Sequence, residues 1–181
     1  MTQRAPAALA ATSVALLAVL AGCGGSEPAP EMGTIRTEPL PAPEAELPIA
    51  QANADGECPY LSVEEVSGVG VGPVTGVRID DSLDPAGCFF YGTDDEVILT
   101  TTVHTADSAE RAAEIVAETA PADVAEEAAV KGGWIGAGTE GPGGVLLVLS
   151  RGDQLLAVQT VHEESGPATA TANLVGPRID G

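Results

Sequence analysis

The chain predicts an α+β domain: a mostly antiparallel sheet with two or three helices packed on one face and one disulfide. Three features carry that expectation. Short aliphatic and β-branched runs are joined by hairpin-length turns, one apolar stripe recurs at helical spacing, and two cysteines, Cys58 and Cys88, stand thirty residues apart. The folded domain is assigned to residues 57–181.

Its elements follow in order. Ser62-Val63-Glu64-Glu65 is a capping box, in which the serine side chain and the glutamate side chain each satisfy a free backbone amide at a helix start, so a short helix opens there and ends near Ser67-Gly68. Residues 74–79 and 87–92 read as strands, the second carrying Phe89, Phe90 and Tyr91. Residues 96–104 form a third, with Val97, Leu99, Thr101 and Val103 on one face and Ile98, Thr100, Thr102 and His104 on the other. Asp107 with Glu110 makes a second capping box. Ala109, Ala112, Ala113, Val116, Ala117 and Ala120 then give a continuous apolar stripe that Pro121 stops, with Glu110, Glu114 and Glu118 on the solvent side. Residues 145–150 and 154–161 flank Arg151-Gly152-Asp153 as a β-hairpin, and 167–175 forms a final helix.

The N-terminus carries an address. After Arg4, residues 7–20 are almost wholly Ala, Leu and Val, about 14 apolar residues where a bilayer-spanning helix needs roughly 20, so the segment 1–22 reads as a secretory signal. Leu20, Ala21, Gly22 and Cys23 form a lipobox: small residues let a peptidase reach the bond, and the Cys23 thiol is the nucleophile that accepts a lipid as a thioether. Residues 24–56 hold six of the fourteen prolines among Glu, Ala and Thr, without apolar periodicity. With Cys23 they read as a lipidated, disordered, Pro/Glu-rich tether over 23–56. Once Cys23 is acylated, two of the three cysteines remain in an oxidising compartment, so Cys58 and Cys88 are expected to pair. Closing a loop of that length stabilises a fold by about 3 to 4 kcal/mol in the chain-entropy view.

Charge and composition exclude several classes. Across 181 residues, 27 acids against 7 bases give a formal charge of −20, which repels phosphate backbones and argues against nucleic-acid partners. The aromatic fraction of 3% argues against a lectin-like or base-stacking surface, while 44% hydrophobic residues suffice for an aliphatic core.

No catalytic constellation stands out. Residues 132–144 contain seven glycines and formally match GxGxxG, but the run leads into an apolar strand and puts Glu140 where a pyrophosphate would lie, so a flexible loop is expected. Trp134 at its head is a candidate ligand-facing ring, with a plug at the edge of the core as the plainer expectation. His104 and His162 each end a predicted strand. They form a candidate pair, with Asp107 or Glu163, for proton transfer or metal binding; without HxH, HExxH or GxSxG, exposed strand-end residues are the plainer expectation. Asp80, Asp81 and Asp84 resemble a calcium loop only superficially, since Pro85 and Tyr91 occupy positions where an EF-hand needs Gly and Glu. Arg151-Gly152-Asp153 matches an adhesion tripeptide, but a hairpin turn explains it equally.

The domain resembles the actinobacterial lipoproteins grouped as domain of unknown function 2020. The residues that carry the resemblance are Cys58-Pro59-Tyr60-Leu61 after an acidic Pro-rich tether, Ala86-Gly87-Cys88-Phe89-Phe90-Tyr91, the Gly133-Trp134 pair after the alanine helix, and an apolar hairpin containing Ala157-Val158. The resemblance implies an envelope location and brings no catalytic residues with it. The expectation is therefore a lipoprotein anchored by its lipid to the extracytoplasmic face of the cell membrane, acting as a non-enzymatic binding or accessory module toward a protein or small envelope ligand. No cofactor and no metal are expected. The alternatives are an envelope hydrolase using a histidine and a carboxylate, or a lipid or glycolipid carrier with an apolar cavity beneath the alanine helix.

Overall fold

A computed structural model describes residues 47–179, so the signal segment, Leu20, Ala21, Gly22, Cys23 and most of the tether lie outside the described residues. Eight strands form one antiparallel sheet built from two four-stranded meanders. The first comprises β1 (Ala54–Asp55), β2 (Gly76–Asp80), β3 (Gly87–Tyr91) and β4 (Val97–Thr105); the second comprises β5 (Glu126–Val130), β6 (Trp134–Gly141), β7 (Gly144–Arg151) and β8 (Gln154–Thr160). The order β1-β2-β3-β4-β8-β7-β6-β5 brings the last strand of each meander to the centre. There β4 and β8 pair from Leu99↔Thr160 to Thr105↔Gln154. Helix α1 (Val63–Gly68) connects β1 to β2, α2 (Ala109–Thr119) connects the meanders, and α3 (Gly166–Val175) with a 3-10 turn over Gly176–Arg178 ends the chain.

The expected α+β class, antiparallel sheet and disulfide are present: Cys58 and Cys88 are bonded with Cα atoms 5.5 Å apart. The placement of the helices differs from expectation. Leu147, Leu149, Leu156 and Val158 face a core shared with α1 and α3, including Val66, Ala168, Ala172 and Val175. Val148, Leu155 and Ala157 face the opposite way, onto Ala112, Ile115 and Val116 of α2. Helices therefore cover both faces. The sequence of β8 accounts for this, because Leu155, Leu156, Ala157 and Val158 are all buried in succession, and a strand apolar on both sides needs a cover on both.

Helix α2 is shifted in cap and in face. Ser108, with extended backbone, is the N-cap in place of Asp107; its Oγ accepts from Arg111 N–H at 3.1 Å. The buried face is Ala112, Ile115, Val116 and Ala120, while Ala109, Ala113 and Ala117 are exposed. Alanine is small enough to lie on either face, so Ile115 decides the rotation. On the solvent side, Arg111 bridges Glu114 and Glu118 at 3.2 and 3.3 Å, which offsets the repulsion along that acidic row.

Two further expectations are corrected. The glycine-rich segment 132–144 is not a flexible loop: it supplies β6, the turn into β7 and the start of β7. Its glycines answer to close backbone approach. A Cβ on Gly136 would lie 2.1 Å from the Val148 carbonyl oxygen, and one on Gly144, at φ +109°, would lie 1.9 Å from that of Thr160. The domain also begins before residue 57. Asn53 N–H donates to the Ile79 carbonyl at 3.1 Å, Ala54 and Asp55 pair with β2, and Leu47 packs against the α2 core, so the end of the assigned tether belongs to the sheet.

These contacts predict a sharp contrast between glycines in urea unfolding. Gly136→Ala should destabilise by about 2 to 4 kcal/mol or abolish folding, since the clash is with backbone. Gly68→Ala, whose added Cβ meets nothing within 4 Å, should change stability by less than about 1 kcal/mol.

Candidate functional site

A groove of about 760 Å³ runs along the segment 57–65 and is closed by Val77 and Arg178. The disulfide fixes one end of it by tying Cys58 to the fully buried Cys88, the second residue of β3. Two residues on, Tyr60 turns inward across the sheet. Its hydroxyl donates to the Thr101 carbonyl at 3.1 Å and accepts from Thr101 Oγ1 at 3.2 Å, and burial pushes its pKa up to about 12, so the phenol stays neutral. The expected capping box follows: Ser62 Oγ accepts from Glu65 N–H, and Glu65 Oε2 accepts from Ser62 N–H at 3.0 Å.

Arg178 then binds this segment to the C-terminal turn. Its guanidinium donates to the Tyr60 carbonyl at 2.7 Å and to both carboxylate oxygens of Glu65. The Arg178 hydrogen bonds, followed by those from Ser62, hold the Glu65 carboxyl down at about 2, and the same pairing raises the Arg178 pKa. The groove thus joins parts of the chain more than a hundred residues apart, and Glu65 in its wall is hydrogen-bonded to both Ser62 and Arg178. Ser62 and Tyr60 are hydrogen-bonded to Glu65 and Thr101, so the groove presents shape and polarity rather than an activated nucleophile.

The other candidates separate. Asp80 is 3% exposed and accepts from Gln51 N–H at 2.7 Å, Asn53 Nδ2 at 2.9 Å and Ser82 N–H at 3.1 Å. These bonds, that from the Ser82 hydroxyl foremost, lower its pKa; Asp80 is the clamp that holds the N-terminal segment on the sheet. Among the described residues no group of three or more His, Cys, Asp or Glu is placed to hold a metal ion. His104 faces Leu155 at the start of β8, whereas His162 follows the end of β8. Seven residues of strand separate those levels, about 23 Å, so the two histidines do not form a pair. His162 Nε2–H instead donates to the Val71 carbonyl at 3.1 Å.

Trp134 is a core residue and not a ligand-facing ring. It is fully buried, its indole N–H donates to the Gly176 carbonyl at 3.0 Å, and the Arg151 guanidinium lies 4.8 Å above the ring. Arg151 also donates to the Ile179 carbonyl and to Gln154 Oε1, both at 2.7 Å, so the side chain an adhesion tripeptide would present is tied down. Beneath α2, Ile115, Val116, Val148 and Leu155 are buried against one another. Sequence reasoning missed Arg178 and the Gln51–Asn53–Asp80 clamp. Arg178 had one signal, as one of the five cations among residues 57–181 of an acidic chain.

The depressed Glu65 pKa fixes the sign of a pH effect. The pair stabilises above the ordinary glutamate value of 4.5, and that stability is lost as pH falls toward about 2. Arg178→Met should therefore be less stable than the parent by about 1 kcal/mol at neutral pH, with the gap narrowing between pH 5 and pH 2 in urea unfolding. A gap independent of pH would show that the ion pair contributes nothing.

A search of curated proteins finds no match. A family model described as a domain of unknown function matches residues 40–175, which agrees with a domain beginning before residue 57 and takes in both cysteines, the Tyr60–Glu65 wall of the groove and Trp134. On that match over three quarters of its length, the chain belongs to the DUF2020 family.

Proposed function

We propose that the protein is an actinobacterial envelope lipoprotein, anchored through acylated Cys23 to the extracytoplasmic face of the cell membrane, and that its domain is a non-enzymatic binding or accessory module. One observation carries the second half of this reading. In the groove along residues 57–65, Ser62 and Arg178 are hydrogen-bonded to Glu65 and the Tyr60 hydroxyl to Thr101, bonds that build the wall and suit a recognition surface better than a reaction centre. The first half rests on the apolar run over residues 7–20 and the Leu20-Ala21-Gly22-Cys23 tetrapeptide. Acidic residues in the segment 24–56 favour an extended tether that keeps the domain off an anionic surface. A doubly acylated residue gives a stable anchor where a single chain does not.

The test is metabolic labelling with a palmitate analogue in an actinobacterial host, read by intact mass of the mature chain. The parent should carry diacylglycerol on an N-terminal Cys23, and Cys23→Ala should take up no label. Equal labelling of Cys23→Ala would overturn the anchor, and turnover of a model ester or peptide by the purified chain would overturn the non-enzymatic reading.

A further inference from the structure

The two edges of the sheet are unequal. β1 is two residues long, whereas β5 runs for five and pairs only with β6, so its outward backbone N–H and C=O groups are available to another strand. Alternate side chains of β5 face opposite sides of the sheet, and each side carries a hollow directly against the strand. On the α2 side, Glu127 and Ala129 border a hollow of about 570 Å³ with Ala113, Val116, Ile135 and Ser150. Ile135 is 64% exposed there, an isoleucine in water beside an unpaired strand. On the α3 side, Glu126 and Ala128 border a hollow of about 250 Å³ with Gly138, Glu140, Leu147 and Thr169. Leu147 and Ala128 line it together with two carboxylates, Glu126 and Glu140, the latter also accepting from Ser165 N–H at 3.0 Å.

We propose that β5 is a docking edge for an extended segment of a partner protein, which adds as a ninth, antiparallel strand. Period-two geometry requires its side chains to alternate between the two hollows. The α2-side hollow selects aliphatic residues through Ile135, Val116 and Ala113; the α3-side hollow selects lysine or arginine through Glu126 and Glu140. Charge decides between a partner and a second copy of this chain. Residues 57–181 carry 21 acids and 5 bases, a net of 5 − 21 = −16, and a second copy would bring its own Glu126 and Glu127 to the same edge, whereas a basic, alternating segment is attracted to it. The proposal rests on the reading of the protein as a binding module, but not on its anchor: binding is measured in solution, so loss of the docking edge and loss of the lipid anchor give separate results.

The probe is a fluorescent heptapeptide alternating lysine and valine, titrated into the full chain and read by anisotropy. A peptide of the same composition, with its lysines and valines in separate blocks, controls for bulk attraction to an acidic protein. The alternating peptide should bind about tenfold more tightly than the block peptide. Glu126→Lys and Ile135→Glu, both at exposed positions, should each weaken it about tenfold. N-methylation of one alternate set of peptide amides should abolish binding while methylation of the other set leaves it. Equal affinity for the two peptides, or indifference to both substitutions, would overturn the proposal, and so would a dimer in sedimentation that Ile135→Glu dissolves.

Discussion

The pairing of β4 with β8 is the constraint on which the rest of the structure depends. Each strand closes a four-stranded meander, and their seven paired positions are where the two meanders become one sheet. Because β8 is apolar on both faces, the seam requires cover from both sides at once, and the chain supplies it from two directions. The connection between the meanders provides α2 on one face, and the C-terminal segment provides α3 on the other. Leu155, Leu156, Ala157 and Val158 are thereby all removed from water, each adding to the burial that stabilises an aliphatic core.

The peripheral segments are held by polar staples in addition to apolar packing. The segment before β2 packs Tyr60, Leu61, Val66 and Val71 into the core, and it is fixed further at Asp80 by Gln51 N–H and Asn53 Nδ2 and at Cys58 by the bond to Cys88. The C-terminal turn is fixed through Arg178 on Tyr60 and Glu65, and through the Trp134 indole on Gly176. Two of the chain's many carboxylates, Asp80 and Glu65, thus act as structural joints, each with its pKa lowered by the donors around it.

Much of the architecture was legible in the sequence, for physical reasons that also mark the gaps. The alternation in β4, the Pro121 stop after α2, the Gly152 turn between β7 and β8 and the cysteine pair are local signals, and each led to the observed element. β5 and β6 were not legible. Glu126-Glu127-Ala128-Ala129 has little strand propensity, and the glycines of β6 satisfy the neighbouring backbone of β7 instead of any local preference. The face of α2 was misread because its alanines do not discriminate, and the cover on both sides of the sheet was overlooked although the unbroken run 155–158 announced it. The candidate histidines failed on topology: strand ends that look equivalent along the chain lie at opposite ends of an antiparallel pair. The groove wall escaped because Arg178 reaches it from 113 positions beyond Glu65, a separation that no local pattern records.

Native-state hydrogen exchange tests the role of the β4–β8 seam most directly. Amides within the paired stretches of β4 and β8 should exchange only through global unfolding, with one shared free energy that matches urea denaturation, while β1 and β5 open at lower cost. Separate free energies for the two meanders, with β4 or β8 exchanging before the strands outside them, would contradict the account.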